Sequence, residues 1–377
     1  MTTLPARSYD RIVVIKLSAV GDIIHTLPAV AGLRRAYPKA WLAWVVERGG
    51  ADLLRGNPDL DELIIVDTHA WRANWWMGVR HAWYVTRHLR HAGFELCIDF
   101  QGLLKSGLLT YFSGAPHRLG SPSQGCRERV NAVFTNLKGP LLDPDTHVVD
   151  QHVALLQAIG VTTAERRFPI PVTEAEEQFA GRVWRELGFT SQTPVVVLNP
   201  GARWETKRWG EMNFARLNDA LLRRYHVKTL LTWGVGEESL VQRVVQAATY
   251  VPAIAPPTTL LQLAALLARS TVFVGADTGP LHLAAAMGTP TVALFGPSNP
   301  RRNGPYGGGH RIVHRRLPCS NCYRRTCDHW ECLPSIEVEA VVQAVGSLLE
   351  KDTSDGLGHD RRDTVTPARD LRGPPRL

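Results

Sequence analysis

The chain is poor in cysteine, with six in 377 residues, too few for a disulfide scaffold, so reduced thiols or a metal are the states to consider. It also lacks any apolar run near the roughly 18 residues that a membrane-spanning helix needs. Its first seven residues, M-T-T-L-P-A-R, hold no apolar stretch of the signal-peptide kind. These absences make a cytosolic protein the expectation, one able to touch a membrane from that side. Neither a G-x-G-x-x-G dinucleotide fingerprint nor a phosphate loop of the G-x-x-x-x-G-K type occurs, which withdraws the usual support for hydride transfer and for P-loop chemistry. Acidic residues are in deficit. Against 43 Lys+Arg stand 35 Asp+Glu, and the net charge of +8 points to an anionic partner: nucleic acid, a membrane surface or a phosphorylated substrate. The basic residues form no recognised nucleic-acid module, so nucleic acid is the weakest of these.

What is present reads as a globular α/β protein. Hydrophobic residues make up 44% of the chain, enough for two large cores at roughly 150 residues per domain. Short β-branched runs at residues 11–17, 41–47, 63–66 and 96–100 alternate with helical patterns, including one running to residue 37. After a pause near F-P-I-P-V (168–172) and a helix over 174–187, a second series follows at 195–198, 229–233, 271–275 and 291–295. Strands apolar on both faces and joined by helical crossovers belong to parallel sheets covered on both sides. We therefore expect one domain over residues 1–172 and a second over 173–350. Residues 351–377 mix both charge signs with Gly and Pro and little apolar content, which predicts a disordered tail.

In open α/β sheets ligands bind beyond the carboxyl ends of strands, and four loops there carry candidate chemistry. K-L-S-A-V-G-D-I-I-H-T-L-P (16–28) puts Asp22 at a strand-to-helix turn, as a helix cap or as a general base; His25 reads as structural. N-P-G-A-R-W-E-T-K-R-W (199–209) offers Arg203, Lys207 and Arg208, either as phosphate-neutralising cations or as a solvated basic loop. W-G-V-G-E-E (233–238) places Glu237 and Glu238 where a carboxylate can reach ribose hydroxyls. G-A-D-T-G-P-L-H-L-A-A-A (275–286) opens a helix near Pro280 whose free N–H groups suit a diphosphate; Asp277 or Thr278 can cap it. L-F-G-P-S (294–298) lies beside that loop if its strand is a neighbour.

Singly these loops are weak, but their order resembles the ADP-heptose:lipopolysaccharide heptosyltransferases, glycosyltransferase family 9, over nearly all of residues 11–345. The run D-F-Q-G-L-L-K-S-G (99–107) is most similar to the heptosyltransferase I branch. The resemblance implies a GT-B fold, two Rossmann-like domains with parallel sheets facing across a cleft, the first binding the acceptor and the second the nucleotide sugar. It implies inverting, metal-independent transfer of L-glycero-D-manno-heptose from ADP-heptose to the Kdo residue of Kdo2-lipid A, with no cofactor required, by a monomer on the cytosolic face of the inner membrane. By position, Asp22 is the catalytic base, and Lys207, Asp277, Thr278, Gly279 and His282 bind the donor together with Glu237 or Glu238. The alternatives are a heptosyltransferase II-type or other family 9 enzyme, and a catalytically silent nucleotide-sugar binding protein.

Two further features stand apart from these loops. Residues 67–93 carry Trp71, Trp75, Trp76 and Trp83 among Arg72, Arg80, Arg87 and Arg90, which suits an anionic membrane surface and an acidic acceptor, with Arg72 and Arg80 as candidate acceptor contacts. The competing reading is a crossover helix whose tryptophans pack on the sheet and whose arginines face water. Cys319, Cys322, Cys327 and Cys332, with His329 among them, are spaced for a structural zinc or stand as reduced thiols; a catalytic metal is not expected. Cys97 reads as a small buried hydrophobe.

Overall fold

The computed structural model describes residues 8–67 and 75–354, which group into two compact units, one ending at Pro171 and the other beginning at Val172. In the first, β1 (Arg11–Ile15), β2 (Trp41–Glu47), β3 (Glu62–Val66), β4 (Leu96–Asp99), β5 (His117–Gly120) and β6 (Leu137–Lys138) form one parallel sheet in the order β3-β2-β1-β4-β5-β6. The central strands are buried on both faces, as runs such as R-I-V-V-I and L-C-I-D require. On one side, Val13, Ile15, Val45 and Ile64 pack against Val85, Leu89 and Leu109 from the crossover helices Trp75–His91 and Leu104–Phe112.

The second unit repeats the plan. β7 (Val195–Asn199), β8 (Lys228–Leu231), β9 (Ala253–Ile254), β10 (Val272–Ala276), β11 (Thr291–Phe295) and β12 (Arg311–His314) are all parallel, in the order β12-β11-β10-β7-β8-β9. Read from the other edge, that is the same 3-2-1-4-5-6 arrangement. Its core joins Val196, Leu198, Val274 and Leu294 to Leu217 and Leu221 of the Glu211–Tyr225 helix and to Val341 and Val345 of the Val338–Ser354 helix. Each Leu or Val buried so completely contributes about 1.5–3 kcal/mol. Trp209 is buried with them, and its indole N–H donates to the Ile336 carbonyl at 2.9 Å, so its one polar atom is satisfied.

Several expectations shift. The single helix expected up to residue 37 is two, Val20–Ile24 and Leu27–Ala36. Pro28 lacks the N–H that would extend the first helix but fits the opening turn of the second. β5, β6, β9 and β12 went unpredicted: they are edge or near-edge strands of two to four residues without a long apolar run. The Val338–Ser354 helix continues four residues into the stretch read as a tail, because no helix-breaking residue intervenes before Gly356. Residues 355–377 lie outside the described residues.

A sheet of order 3-2-1-4-5-6 reverses its winding between the first and fourth strands, and crevices open there at the carboxyl ends. In this chain those points are the loops after β1 and β4 in the first unit, and after β7 and β10 in the second.

Candidate active site

In the first unit, Asp22 sits half-buried in the short Val20–Ile24 helix that follows β1. One carboxylate oxygen, Oδ2, accepts the Ala19 N–H at 3.1 Å; the other accepts no hydrogen bond among the described residues. The cap and base readings are thus compatible: one oxygen orients the group while the other stays open to a proton. The loop that carries Asp22 is held by the loop after β4. Gln101 Oε1 accepts from the N–H groups of Leu17 and Ser18 at 2.9 and 3.2 Å. The buried Lys16 ammonium donates to the Phe100 carbonyl at 2.9 Å.

That second loop is itself tied down by Asp99. Its Oδ1 accepts from the N–H groups of Gln101 and Gly102 at 2.7 and 3.1 Å, and its Oδ2 from Asn131 Nδ2 at 2.7 Å. Burial raises the Asp99 carboxyl above its ordinary range despite these donors. Nothing local in D-F-Q-G (99–102) marks Asp99 or Gln101 for these roles. The signal that exposes them is that β4 pairs directly with β1.

In the second unit, Lys207 closes a single turn of 3-10 helix, Glu205–Lys207, after β7. Its ammonium donates to Asp277 Oδ2 at 2.6 Å and to the Asp277 carbonyl at 2.9 Å, in the loop after β10. His282 Nε2 donates to the other carboxylate oxygen, Oδ1, at 3.0 Å. Burial alone would push the Asp277 carboxyl up; the hydrogen bond from His282 and the charge of Lys207 outweigh it and hold the group well below the usual carboxylate range. Asp277 is therefore an anion engaged on both oxygens, and it does not cap the Gly279–Ala286 helix. Thr278 occupies the N-cap position but makes no side-chain capping bond, its hydroxyl donating instead to the Ala276 carbonyl. The first N–H groups of that helix therefore have no side-chain cap. Lys207 also lies over the Trp204 ring, 4.6 Å from its centroid, and Arg325 lies 5.2 Å from the same ring.

The two glutamates separate. Glu237 folds back over the β7 loop: its Oε2 accepts the Gly234 N–H at 2.9 Å, and a Cβ placed on Gly201 would fall 2.0 Å from that same oxygen. Gly201 is thus glycine because the carboxylate occupies the space of a side chain. Glu238 is exposed at the start of the Glu238–Ala247 helix. Arg203 is exposed, and Arg208 Nε donates to the Ala202 carbonyl. Ser298, buried after β11, has a hydroxyl with no hydrogen-bond partner among the described residues, and β11 pairs with β10.

The cysteine-rich segment buttresses these loops. Thr206 Oγ1 donates to the Arg324 carbonyl at 2.7 Å, the Trp330 indole to the Thr206 carbonyl at 3.2 Å, and the Tyr323 N–H to the Pro297 carbonyl at 2.9 Å. Cys319, Cys322, Cys327 and Cys332, spaced for a structural zinc or for reduced thiols, stand as free cysteines. Among the described residues no group of three or more His, Cys, Asp or Glu could hold a metal ion, and none of the four is disulfide-bonded. Cys319 and Cys322 are exposed, whereas Cys332 packs inward, its Sγ 3.0 Å from where a Gly296 Cβ would be. Cys97 is fully buried, and burial pushes its thiol up to about 12. His25 is buried and packs edge-on against His147, as its structural reading expects.

The sequence pattern of glycosyltransferase family 9 (heptosyltransferase) matches residues 82–332. This chain belongs to glycosyltransferase family 9. It is 31% identical over 327 residues to lipopolysaccharide heptosyltransferase 1 of Pseudomonas aeruginosa, covering 85% of this chain and 88% of the relative. Among solved structures, a family 9 glycosyl transferase from Veillonella parvula superposes with a TM-score of 0.80 at 26% identity, over 92% of this chain and 98% of that one. A heptosyltransferase of E. coli solved with ADP superposes with a TM-score of 0.72 at 25% identity, over 90% of this chain and 99% of that one. The family 9 chain is a glycosyltransferase of GT-B fold, α/β with two Rossmann-like units. Of the candidate acceptor contacts, Arg80 is exposed on the Trp75–His91 helix, and Arg72 lies outside the described residues.

Proposed function

We propose that this family 9 enzyme transfers L-glycero-D-manno-heptose from ADP-heptose to the Kdo residue of Kdo2-lipid A, in lipopolysaccharide inner-core synthesis at the cytosolic face of the inner membrane. The observation that carries the reading is the Lys207–Asp277–His282 cluster beside a helix N-terminus at the β7/β10 switch point, with Asp22 at the β1 switch point of the other unit. The name of the P. aeruginosa relative supports the sugar and the pathway.

In this mechanism Asp22 takes the proton of the acceptor hydroxyl as its oxygen bonds to the anomeric carbon from the face opposite the leaving group. The bond from that carbon to the diphosphate oxygen breaks through an oxocarbenium-like state, configuration inverts, and ADP leaves with the electron pair. Charge grows on the diphosphate as this happens. Lys207, fixed in direction by Asp277, and the first N–H groups of the Gly279–Ala286 helix meet it with positive charge already in place. In this reading Thr278, Gly279 and Ser298 add hydrogen bonds, and Glu237, rather than the exposed Glu238, contacts the nucleoside. The reading needs no cofactor beyond the donor and works in a monomer.

The test is incubation of purified protein with ADP-heptose and Kdo2-lipid A, followed by mass spectrometry of the lipid. A mass gain of one heptose supports the proposal. Donor binding without any gain, in folded protein, would instead favour a silent nucleotide-sugar binder.

A further inference from the structure

The Trp75–His91 helix is half core and half something else. Gly78, Val85 and Leu89 face the sheet, as a crossover helix demands. The opposite stripe, at spacings of four and three, reads Trp76, Arg80, Trp83, Arg87, Arg90, and all five are exposed. Trp76 and Trp83 are 63% and 59% exposed, so these tryptophans do not pack on the sheet as the competing reading holds. Burying two indoles in the core would have been the cheaper arrangement for a helix that only covers a sheet.

The exposed apolar surface continues onto the neighbouring helix. Leu104, Leu108 and Tyr111 of Leu104–Phe112 point outward. The two helices are tied at their ends by Arg90 Nε donating to the Phe112 carbonyl at 3.2 Å. Positive charge dominates this face, and the two carboxylates beside it are engaged, Glu62 with His88 at 2.7 Å and Glu128 with the Leu104 N–H at 2.6 Å. The Trp75–His91 helix contains no Asp or Glu; the Arg87 guanidinium lies 5.2 Å from the Trp83 ring centroid, and Arg118 lies 5.7 Å from that of Tyr111. No helix among the described residues is long and apolar enough to cross a membrane, so this surface can at most lie on one.

We infer that the outward face of the Trp75–His91 and Leu104–Phe112 helices docks the enzyme on an anionic lipid surface. The indoles enter the headgroup zone and the arginines between them meet lipid phosphates, the division of labour that amphipathic interfacial helices use. This deepens the proposed function, resting on its membrane-borne acceptor, and it puts the lipid on the unit that carries Asp22.

Sedimentation with vesicles tests it without donor or acceptor present. The full chain should bind phosphatidylethanolamine vesicles containing phosphatidylglycerol, bind phosphatidylcholine vesicles far less, and release as salt rises. Replacing both indoles, Trp76→Ser with Trp83→Ser, should weaken partition about tenfold or more, and Arg87→Ala about fivefold. Val251→Ser, exposed in the other unit, should change nothing. Since the replaced side chains are exposed, an unchanged melting temperature separates lost docking from lost folding. Equal partition of parent and double variant overturns the inference, as does absence of salt-sensitive binding. A dimer that dissolves when Trp83 is replaced also overturns it, assigning the face to a second copy. Heptose transfer to an acceptor stripped of its acyl chains is read in parallel. Its failure counts against the proposed function alone, and its persistence in the double variant supports a docking role for the indoles.

Discussion

Lys207 is bound twice by one residue: its ammonium lies 2.6 Å from Asp277 Oδ2 and 2.9 Å from the backbone carbonyl of the same aspartate. The pair joins the loops after the first and fourth strands of its sheet, where this topology opens a crevice. Two bonds to one partner leave the cation a single direction, the preorganisation that the proposed diphosphate contact requires.

Removing the cation should therefore cost binding and rate together. Lys207→Ala is expected to raise the donor KM and lower kcat/KM by about 100-fold or more, since a charge-assisted contact to the leaving group is lost. Steady-state kinetics with varied donor checks this, and unchanged KM and kcat would remove Lys207 from the site.

The same cluster sets an acid response. Asp277 has its carboxyl held below the ordinary value in the folded state, whereas an unfolded aspartate titrates near about 3.9. Its stabilising contribution is thus fully present above about pH 4 and is lost as pH falls from there through the lower folded value. Urea unfolding of the parent and of Asp277→Asn should give curves that differ most above that window and converge at the acid end. A stability gap independent of pH would contradict the assignment.

Gly201→Ala probes the nucleoside side. The added methyl would fall 2.0 Å from Glu237 Oε2, so the carboxylate must swing away. We expect the donor KM to rise about tenfold with a nearly unchanged melting temperature, because Glu237 lies at the surface end of its loop and is half-buried. Glu238→Ala, changed at an exposed helix start, should leave KM alone.

If Lys207 and helix N–H groups supply the positive charge for the diphosphate, as proposed, metal removal should matter little. EDTA should leave the transfer rate within about twofold of the untreated value, and a rate restored by added Mg²⁺ after a large loss would contradict it.

The central strands and the loops behind them were legible because both are written locally. R-I-V-V-I, W-L-A-W-V-V-E and T-V-A-L-F are apolar on both faces, as only buried parallel strands are. The loops that follow carry their cations, carboxylates and glycines within a dozen residues. What stayed hidden depends on which strand lies beside which. Gln101 matters because β4 adjoins β1, and its amide reaches Leu17 across 84 residues. The Trp330 indole meets Thr206 from 124 residues away, a contact that no local pattern announces. The cysteine spacing left two states open, and local sequence could not show that Cys332 is half-buried while Cys319 and Cys322 are exposed. Helical periodicity put Trp76 and Trp83 on the arginine stripe but left their burial open, since indoles also suit a sheet-facing side; the fold leaves both exposed.

The central claim is that Asp22 removes the acceptor proton in a heptosyl transfer, and the most direct measurement is turnover of ADP-heptose and Kdo2-lipid A by the parent and by Asp22→Asn. The amide keeps an oxygen for the Ala19 N–H, so the helix start survives while the base is lost. We predict heptose-bearing lipid from the parent and a rate lower by about 10²–10⁴ in the variant, with ADP-heptose affinity retained. A folded Asn variant that turns over at the parental rate, or a folded parent that adds no heptose, would contradict the account.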